Sequence, residues 1–376
     1  MVQGSALNEW LYSCVRCGNC KYVFRDYGPS CPSGEYFQLE SYFASGRLWV
    51  AHALLKGDLA WSSDLLQPLF ACSTCGACEV QCLAPHKNSI VEMIEELRAE
   101  AVDALGPLPS HRKFRDRIKS NHNPYGSEHH ARSLVERHSL PLEAPLVYFV
   151  GCTANYRETE IRDATISLLK KGGMNFTIVD EYCCSSPLIR TGQLDLPRDL
   201  AQHNCDRVSE AGASRVVTSC AGCYRALTMD YPRLGVSMDF EVIHITHLIR
   251  EMLESGSLKP KAAEALAVTY HDPCHLGRHC GEYDAPREVM GHLPVRLVEM
   301  DYIRENAWCC GAGGGARSAF SDWSLKTASS RLQMALETGA QYLVSACPFC
   351  KRNLNDASEG NLKVLDLSEL ADRLTQ

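Results

Sequence analysis

Cys309-Cys310-Gly311-Ala312-Gly313-Gly314-Gly315, preceded by Cys274 and followed by Cys347-Pro348-Phe349-Cys350, is one half of a pattern that the chain writes twice. In the first copy Cys152 is followed after 30 residues by adjacent Cys183 and Cys184, then after 35 more by Cys220-x2-Cys223. In the second the gaps are 34 and 36, and equivalent cysteines lie 122, 126 and 127 residues apart. The repeat is therefore domain-sized, roughly 120 residues. Strand and helix signals alternate around these cysteines. Leu146 to Val150 is a short apolar run ending at Gly151-Cys152, with helical spacing behind it through Ile161, Ile166, Leu168 and Leu169. Arg215 to Thr218 leads into Cys220, and Tyr342 to Val344 leads into Cys347. This predicts two α/β domains in which the five thiols of each unit converge beyond the carboxyl ends of the strands, where open parallel sheets hold their ligands. Adjacent cysteines rarely form an unstrained disulfide. A multi-iron cluster can take both sulfurs, whereas one tetrahedral ion seldom does.

The first hundred residues carry a different cysteine grammar. Cys14, Cys17 and Cys20 are spaced C-x2-C-x2-C, with Cys31-Pro32 beyond; Cys72, Cys75 and Cys78 repeat the spacing, with Cys82 beyond in Cys-Leu-Ala-Pro85. This is a duplicated ferredoxin pattern, in which the trailing cysteine of one motif ligates the other motif's cluster. The expected cubane [4Fe-4S] sets are Cys14, Cys17, Cys20 with Cys82, and Cys72, Cys75, Cys78 with Cys31. Structural zinc competes for such residues, but it pairs two C-x2-C knuckles, and three cysteines in a row leave one over. The stretch between the motifs reads as helical, with Ser33 near a helix start and apolar positions at Tyr36, Phe37, Leu39, Tyr42 and Phe43. The domain thus looks like an α-helical ferredoxin. Ser89-x-x-Glu92 reads as a capping box opening a closing helix along Ile90, Met93, Ile94, Leu97 and Ala101.

Composition narrows the function classes. The 376 residues are 45% hydrophobic and 22% charged, a globular makeup, and the net charge of −7 without recurring Lys/Arg runs argues against nucleic acid or anionic lipid as main partner. Met1 to Trp10 lacks the features of a signal peptide and no stretch approaches a membrane span, so a cytoplasmic location is expected, where 20 cysteines read as metal thiolates and not as disulfides. Eighteen of them fall in the four motifs, leaving Cys205 and Cys280 as structural thiols. The expected organisation is a ferredoxin domain at 1–103, a linker at 104–142, and cysteine-rich domains at 143–260 and 261–376. The linker, with His111, His122, His129, His130 and His138 among charged residues, reads as draped over the surface, its paired His129 and His130 binding no metal.

These motifs resemble the heterodisulfide reductase family, and the resemblance spans essentially the whole chain. A ferredoxin part like the small C-type component is fused to two CCG cysteine-rich domains like the catalytic B-type component, as in the D-type proteins. Similar architecture occurs in iron–sulfur subunits of glycolate and lactate dehydrogenases and in D-like components of benzoyl-CoA reductase and sulfur-metabolism complexes. The resemblance implies one further cluster, noncubane [4Fe-4S], on Cys152, Cys183, Cys184, Cys220 and Cys223, and another on Cys274, Cys309, Cys310, Cys347 and Cys350. It places disulfide reduction between them, with the adjacent pairs Cys183-Cys184 and Cys309-Cys310 at the reacting centre. One departure stands out: Ser185 occupies the position of the motif's glycine, which Gly311 keeps in the second copy. Every ligand survives, but the turn beside Cys184 and its hydrogen bonds to sulfur come into question.

Gly311-x-Gly313-x-x-Ala316 fits a loose dinucleotide pattern but follows two cysteines instead of a strand, so Gly311 and Gly313 read as letting backbone approach a cluster. His271 and His275 flank Cys274. Either donates to cluster sulfur or carries protons to a departing thiolate, or both only pack. Without a flavin or nicotinamide fingerprint, the chain needs a flavin- or iron–sulfur-bearing partner, resembling the A-type component of the reductase or a dehydrogenase, and meets a membrane only through such a partner. Three functions follow: a subunit reducing a small-molecule disulfide or similar two-electron acceptor at paired clusters, a non-catalytic electron wire in a larger complex, or a zinc-stabilised scaffold.

Overall fold

A computed structural model describes residues 5–128 and 131–376; His129 and His130 lie outside them. Up to Leu146 the described chain is helical, with one isolated antiparallel bridge, Tyr22 to Pro29. Helices Ala6–Trp10, Ala44–Lys56, Leu66–Phe70 and Ile90–Leu105 pack through Leu7, Leu48, Phe70, Met93 and Leu97 into one core. The Ser89 side chain makes no capping bond at the last of these helices. Glu79 Oε1 accepts from Val91 N–H (2.8 Å) in its place, and Glu92 turns to Arg233. The expected capping box fails because a carboxylate from another helix already satisfies that helix start.

The segment expected to be a surface linker contains two helices, Pro109–Asn121 and Ala131–His138. The first buries His111, Phe114 and Ile118, and Phe114 and Ile118 pack with Cys183, Leu188 and Leu200. Its buried residues at i, i+3 and i+7 make one face, which the many charged neighbours obscure in the sequence.

Two four-stranded sheets follow, each wholly parallel. Strands β1 (Leu146–Phe149), β2 (Phe176–Thr177), β3 (Arg215–Thr218) and β4 (Glu241–His244) lie in the order β2-β1-β3-β4; β5 (Leu266–His271), β6 (Val295–Leu297), β7 (Tyr342–Ser345) and β8 (Lys363–Asp366) lie in the order β6-β5-β7-β8. The registers match, Val147 opposite Val216 and Val217 opposite Ile243, Tyr270 opposite Val344 and Val344 opposite Leu365. Repeated topology explains the repeated cysteine spacing. Val147, Val216, Val217, Leu343 and Val344 are fully buried, as befits strands covered on both faces. Even the last helix of each unit starts alike: His244 and Asp366, at the strand ends, accept from the N–H groups of Thr246 and Ser368. Helix Thr159–Lys171 packs on Leu367–Leu374 of the other unit, and the two units share one continuous apolar core.

Candidate metal centres

In an open parallel sheet the crevice lies where connections leave neighbouring strands in opposite directions. Here that point falls between β1 and β3, and between β5 and β7. Cys152 follows β1 and Cys220 follows β3, while the loop after β2 carries Cys183 and Cys184; Cys274, Cys347 and the pair Cys309-Cys310 follow β5, β7 and β6 in the same way. Each five-cysteine group therefore arrives at one sheet edge from three strand ends.

The ferredoxin-type loops share a backbone. The residue before the middle cysteine (Arg16, φ 56°; Thr74, φ 50°) and the glycine after it (Gly18, φ 84°; Gly76, φ 75°) are left-handed in both. Two such residues around a cysteine curl the chain and turn consecutive N–H groups inward, which suits an anionic centre. Cys82 lies within electrostatic reach of Cys14, Cys17 and Cys20, and Cys31 of Cys72 and Cys75. The fold thus brings together the crossed sets expected from the spacing. Burial pushes the thiols of Cys14, Cys78 and Cys82 up, and that of Cys31 to about 12. All 20 cysteines are free of disulfides. Buried sulfurs in groups of four become thiolates only around a cation, so the donor set fits thiolate-bound iron.

From Cys75 an unbroken series of sulfur contacts crosses both sheet units. Cys75 meets Cys309, which meets Cys274 and Cys310; Cys310 lies 3.3 Å from Cys350; Cys350 meets Cys347, and Cys347 meets Cys220 of the other unit. Cys220 continues through Cys223 and Cys184 to Cys183 and Cys152. At the other end Cys78 lies within electrostatic reach of Cys20. Ser73 Oγ also stands 3.3 Å from Cys309 Sγ, tying the ferredoxin loop to the second cysteine-rich unit.

Gly311 sits at φ 81°, where an added Cβ would lie 2.6 Å from the Ser324 carbonyl oxygen. Ser185 holds the same turn at φ 70°, so the serine changes the residue and not the backbone. A Cβ on Gly313 would meet the Ser73 carbonyl oxygen at 2.7 Å, and one on Gly314 that of Cys72 at 2.4 Å. The glycine run thus brings the second unit's backbone against the ferredoxin loop 72–74. Arg98, fully buried, donates to the carbonyls of Leu69, Cys72, Arg190 and Gly314 and so clips three parts of the molecule together.

Between the sheet units lies a cavity of about 520 Å³, lined by nine of the ten cysteines of the two groups, all but Cys309. Every lining side chain of fixed charge is basic: Lys113, Arg117, Arg190, Arg317 and Arg352. Arg190 is neutralised by Glu95 and Asp230 and Arg317 by Asp356, while Lys113, Arg117 and Arg352 have no carboxylate partner among the described residues. Tyr125 closes one wall, its hydroxyl 2.9 Å from Thr153 Oγ1. His275 lines the cavity; burial, reinforced by Arg225 and Arg190, holds its pKa well below the usual value, and Arg225 Nη1 stands 3.4 Å from its Nε2. His271 is fully buried beside Cys310 and Cys350 and outside the cavity lining. His247 pairs with Glu282, Cys205 packs in the shared core, and Cys280 Sγ lies 4.0 Å from Met229 Sδ. Sequence reasoning missed Lys113, Arg117, Tyr125 and Arg352. The first three sit in the segment taken for a linker, and the signal that would have found them was its buried helical face.

Residues 10–85 match the 4Fe-4S dicluster domain family, and residues 146–228 and 268–355 each match the cysteine-rich CCG domain family. The chain is 38% identical to the D component of dihydromethanophenazine:CoB–CoM heterodisulfide reductase from Methanosarcina mazei, over 94% of this chain and 90% of the relative. It is 32% identical to the B component of fumarate reductase (CoM/CoB) from Methanothermobacter marburgensis (81% and 61%), and 28% identical to EtfAB:quinone oxidoreductase from Syntrophomonas wolfei (81% and 46%). A solved structure of a hypothetical protein from Helicobacter pylori shares the fold at a TM-score of 0.62 and 10% identity, covering 100% of this chain and 73% of that one. No helix among the described residues is long and apolar enough to cross a membrane. With a dicluster domain, two cysteine-rich domains and near full-length similarity to these relatives, the chain belongs to the D-type heterodisulfide reductase family and is an iron–sulfur subunit of an oxidoreductase.

Proposed function

We propose that this subunit takes electrons from a flavin- or iron–sulfur-bearing partner and reduces a small disulfide, or a similar two-electron acceptor, in the cavity between its cysteine-rich units. In this reading residues 1–103 are an α-helical ferredoxin domain holding two cubane clusters on the crossed sets, and the two five-cysteine groups hold one noncubane cluster each. When bound, these clusters supply one-electron transfers, two of which convert one disulfide and two protons into two thiols. The observation that carries the reading is the series of sulfur contacts from Cys75 to Cys152, with the cavity open on nine of its cysteines.

The chain's own residues prepare the cavity for such a molecule. Lys113, Arg117 and Arg352 are cations without carboxylate partners among the described residues, in a wall that contains no acid, on a chain whose net charge is −7, so they favour an acceptor bearing anionic groups. Phe114 and Phe349 give the wall apolar surface. Arg225 faces His275 Nε2, which leaves the proton of the neutral ring on Nδ1, available as a hydrogen-bond donor to a thiolate formed beside Cys220.

The test is metal and acid-labile sulfide analysis on anaerobically purified protein, followed by turnover with a viologen donor and an anionic disulfide. About 16 iron per chain is expected, four clusters of four. Cys310→Ser should lose the second five-cysteine cluster and turnover while both cubanes stay. Full iron content and unchanged spectra in that variant would refute the assignment, and zinc in place of iron would refute the redox reading altogether.

A further inference from the structure

The two five-cysteine groups arise from a duplication, yet their surroundings differ at one buried position. His271, three residues before Cys274, ends β5; three residues before Cys152 the first unit has Phe149, which ends β1. His271 is 1% exposed, and its ligand-capable nitrogen lies within 4.8 Å of both Cys310 Sγ and Cys350 Sγ. Two roles fit that distance, a metal ligand or a hydrogen-bond donor, and the far side of the ring separates them. Arg331 Nε donates to His271 Nδ1 at 3.2 Å, while Arg331 Nη1 donates to the Tyr302 carbonyl at 2.7 Å. A guanidinium has no acceptor to offer and keeps its protons. Nδ1 therefore carries a lone pair, and the proton of the neutral imidazole sits on Nε2. A protonated nitrogen cannot ligate a metal. Nε2 also has no hydrogen-bond partner among the described residues, an orphaned buried donor on a ring that stands beside the Cys310 and Cys350 sulfurs.

A cation also stands beside the second group. Arg278, donating to the carbonyls of Cys75 and Ala307, lies in the field of Cys75, Cys274 and Cys309. Hydrogen bonds to sulfur and positive charge stabilise a reduced cluster.

We propose that His271, oriented by Arg331, donates its Nε2–H to the Cys310–Cys350 sulfur pair and gives the cluster of the second group a higher reduction potential than that of the first. This rests on the reading of both groups as cluster ligands. His271 and Arg331 are positioning residues: neither reaches the cavity, and their effect is on the order in which the two centres fill with electrons.

The experiment is an EPR-monitored redox titration of the anaerobic full-length holoprotein, with Cys310→Ser identifying the second group's signal. His271→Phe, which copies Phe149, should lower the potential of that signal and leave the other signals in place; His271→Gln, which keeps an N–H donor, should stay closer to the parent. An unmoved potential in His271→Phe with iron retained overturns the proposal, and so does loss of the second group's iron, which would make His271 a ligand. The parent protein supplies an independent check if His271→Phe folds poorly. With 15N-labelled histidine, ENDOR of the second signal should show an exchangeable proton coupling, and the strong nitrogen coupling of a directly bound imidazole would overturn the proposal. A parent containing only about 8 iron would instead sink the reading of the five-cysteine groups themselves, and the proposal with it.

Discussion

Ser185 and Gly311 hold the same left-handed turn in the two units, at φ 70° and 81°, so exchanging their residue types should give effects of opposite sign. A residue with a Cβ pays about 1–2 kcal/mol in this region. Ser185→Gly removes that strain but restores freedom to the unfolded chain, worth about 0.4–1 kcal/mol. It also loses only a long contact, Ser185 Oγ to the Pro197 carbonyl at 3.5 Å. The net expectation is stabilisation of up to about 1 kcal/mol, or about 2–4 °C in Tm for a cooperative unit of this size. Gly311→Ser acquires the strain and also drives its Cβ to 2.6 Å from the Ser324 carbonyl oxygen and 2.8 Å from Thr327 Cβ. Both neighbours belong to helix Ser321–Glu337, whose backbone cannot yield cheaply, so this variant should lose about 3 kcal/mol or more. The assay is thermal unfolding of anaerobic holoprotein at one fixed scan rate, followed by circular dichroism and cluster absorbance, for parent and both variants. Equal losses in the two variants, or a Ser185→Gly protein clearly less stable than the parent, would refute the claim that the turn is shared and that serine merely tolerates it.

The helix Pro109–Asn121 supplies a second test: Phe114→Ala should cost about 3–5 kcal/mol in chemical denaturation, where a surface linker would show a change within about 0.5 kcal/mol. In the same helix, burial pushes His111 from its usual 6.5 down to about 4, helped by Arg98 and opposed by the Gly315 carbonyl. The unfolded chain therefore takes up a proton that the folded one refuses; the contribution of His111 is complete above pH 6.5 and is lost as pH falls toward 4, at a slope approaching about 1.4 kcal/mol per pH unit. Denaturation midpoints at pH 7 and pH 5 should converge in His111→Gln relative to the parent. At the cavity, Arg117→Ala and Arg352→Ala should each raise KM for an anionic disulfide about tenfold, with kcat less affected and the parent's salt dependence reduced; unchanged KM in both would remove these cations from substrate binding.

Much of the site was legible because cysteine spacing reflects a local geometric need. C-x2-C-x2-C wraps one centre, a property of a dozen residues, and the five-cysteine repeat records strand ends whose separation is set by one strand–helix–strand unit. The crossed grouping of Cys82 with Cys14 and of Cys31 with Cys72 came from the same local logic. Three things were hidden. The linker reading failed at Phe114 and Ile118, whose burial depends on Leu188 and Leu200, residues 70 to 86 positions away that no local window contains. The Ser89 capping box failed because Glu79 arrives from another helix. Arg98 carries no motif at all; its role exists only once the carbonyls of Cys72, Arg190 and Gly314 are gathered around it.

Those non-local contacts bear on function as much as on fold. Electron transfer through thiolate-held centres depends steeply on their separation, so a ferredoxin domain on a flexible tether would deliver electrons only in some of its orientations. Here contacts fasten the domain in place. Arg98 fastens the ferredoxin loop to both cysteine-rich units, Gly313 and Gly314 are small enough for the second unit's backbone to lie on Ser73 and Cys72, and Ser73 Oγ reaches Cys309. The two cysteine-rich units share one core, and the cavity takes Cys220 from one and Cys347 from the other. A unit excised from this arrangement would keep its five cysteines but lose half of the cavity; in the proposed function two centres act on one acceptor and need a fixed distance between them, and the shared core supplies it.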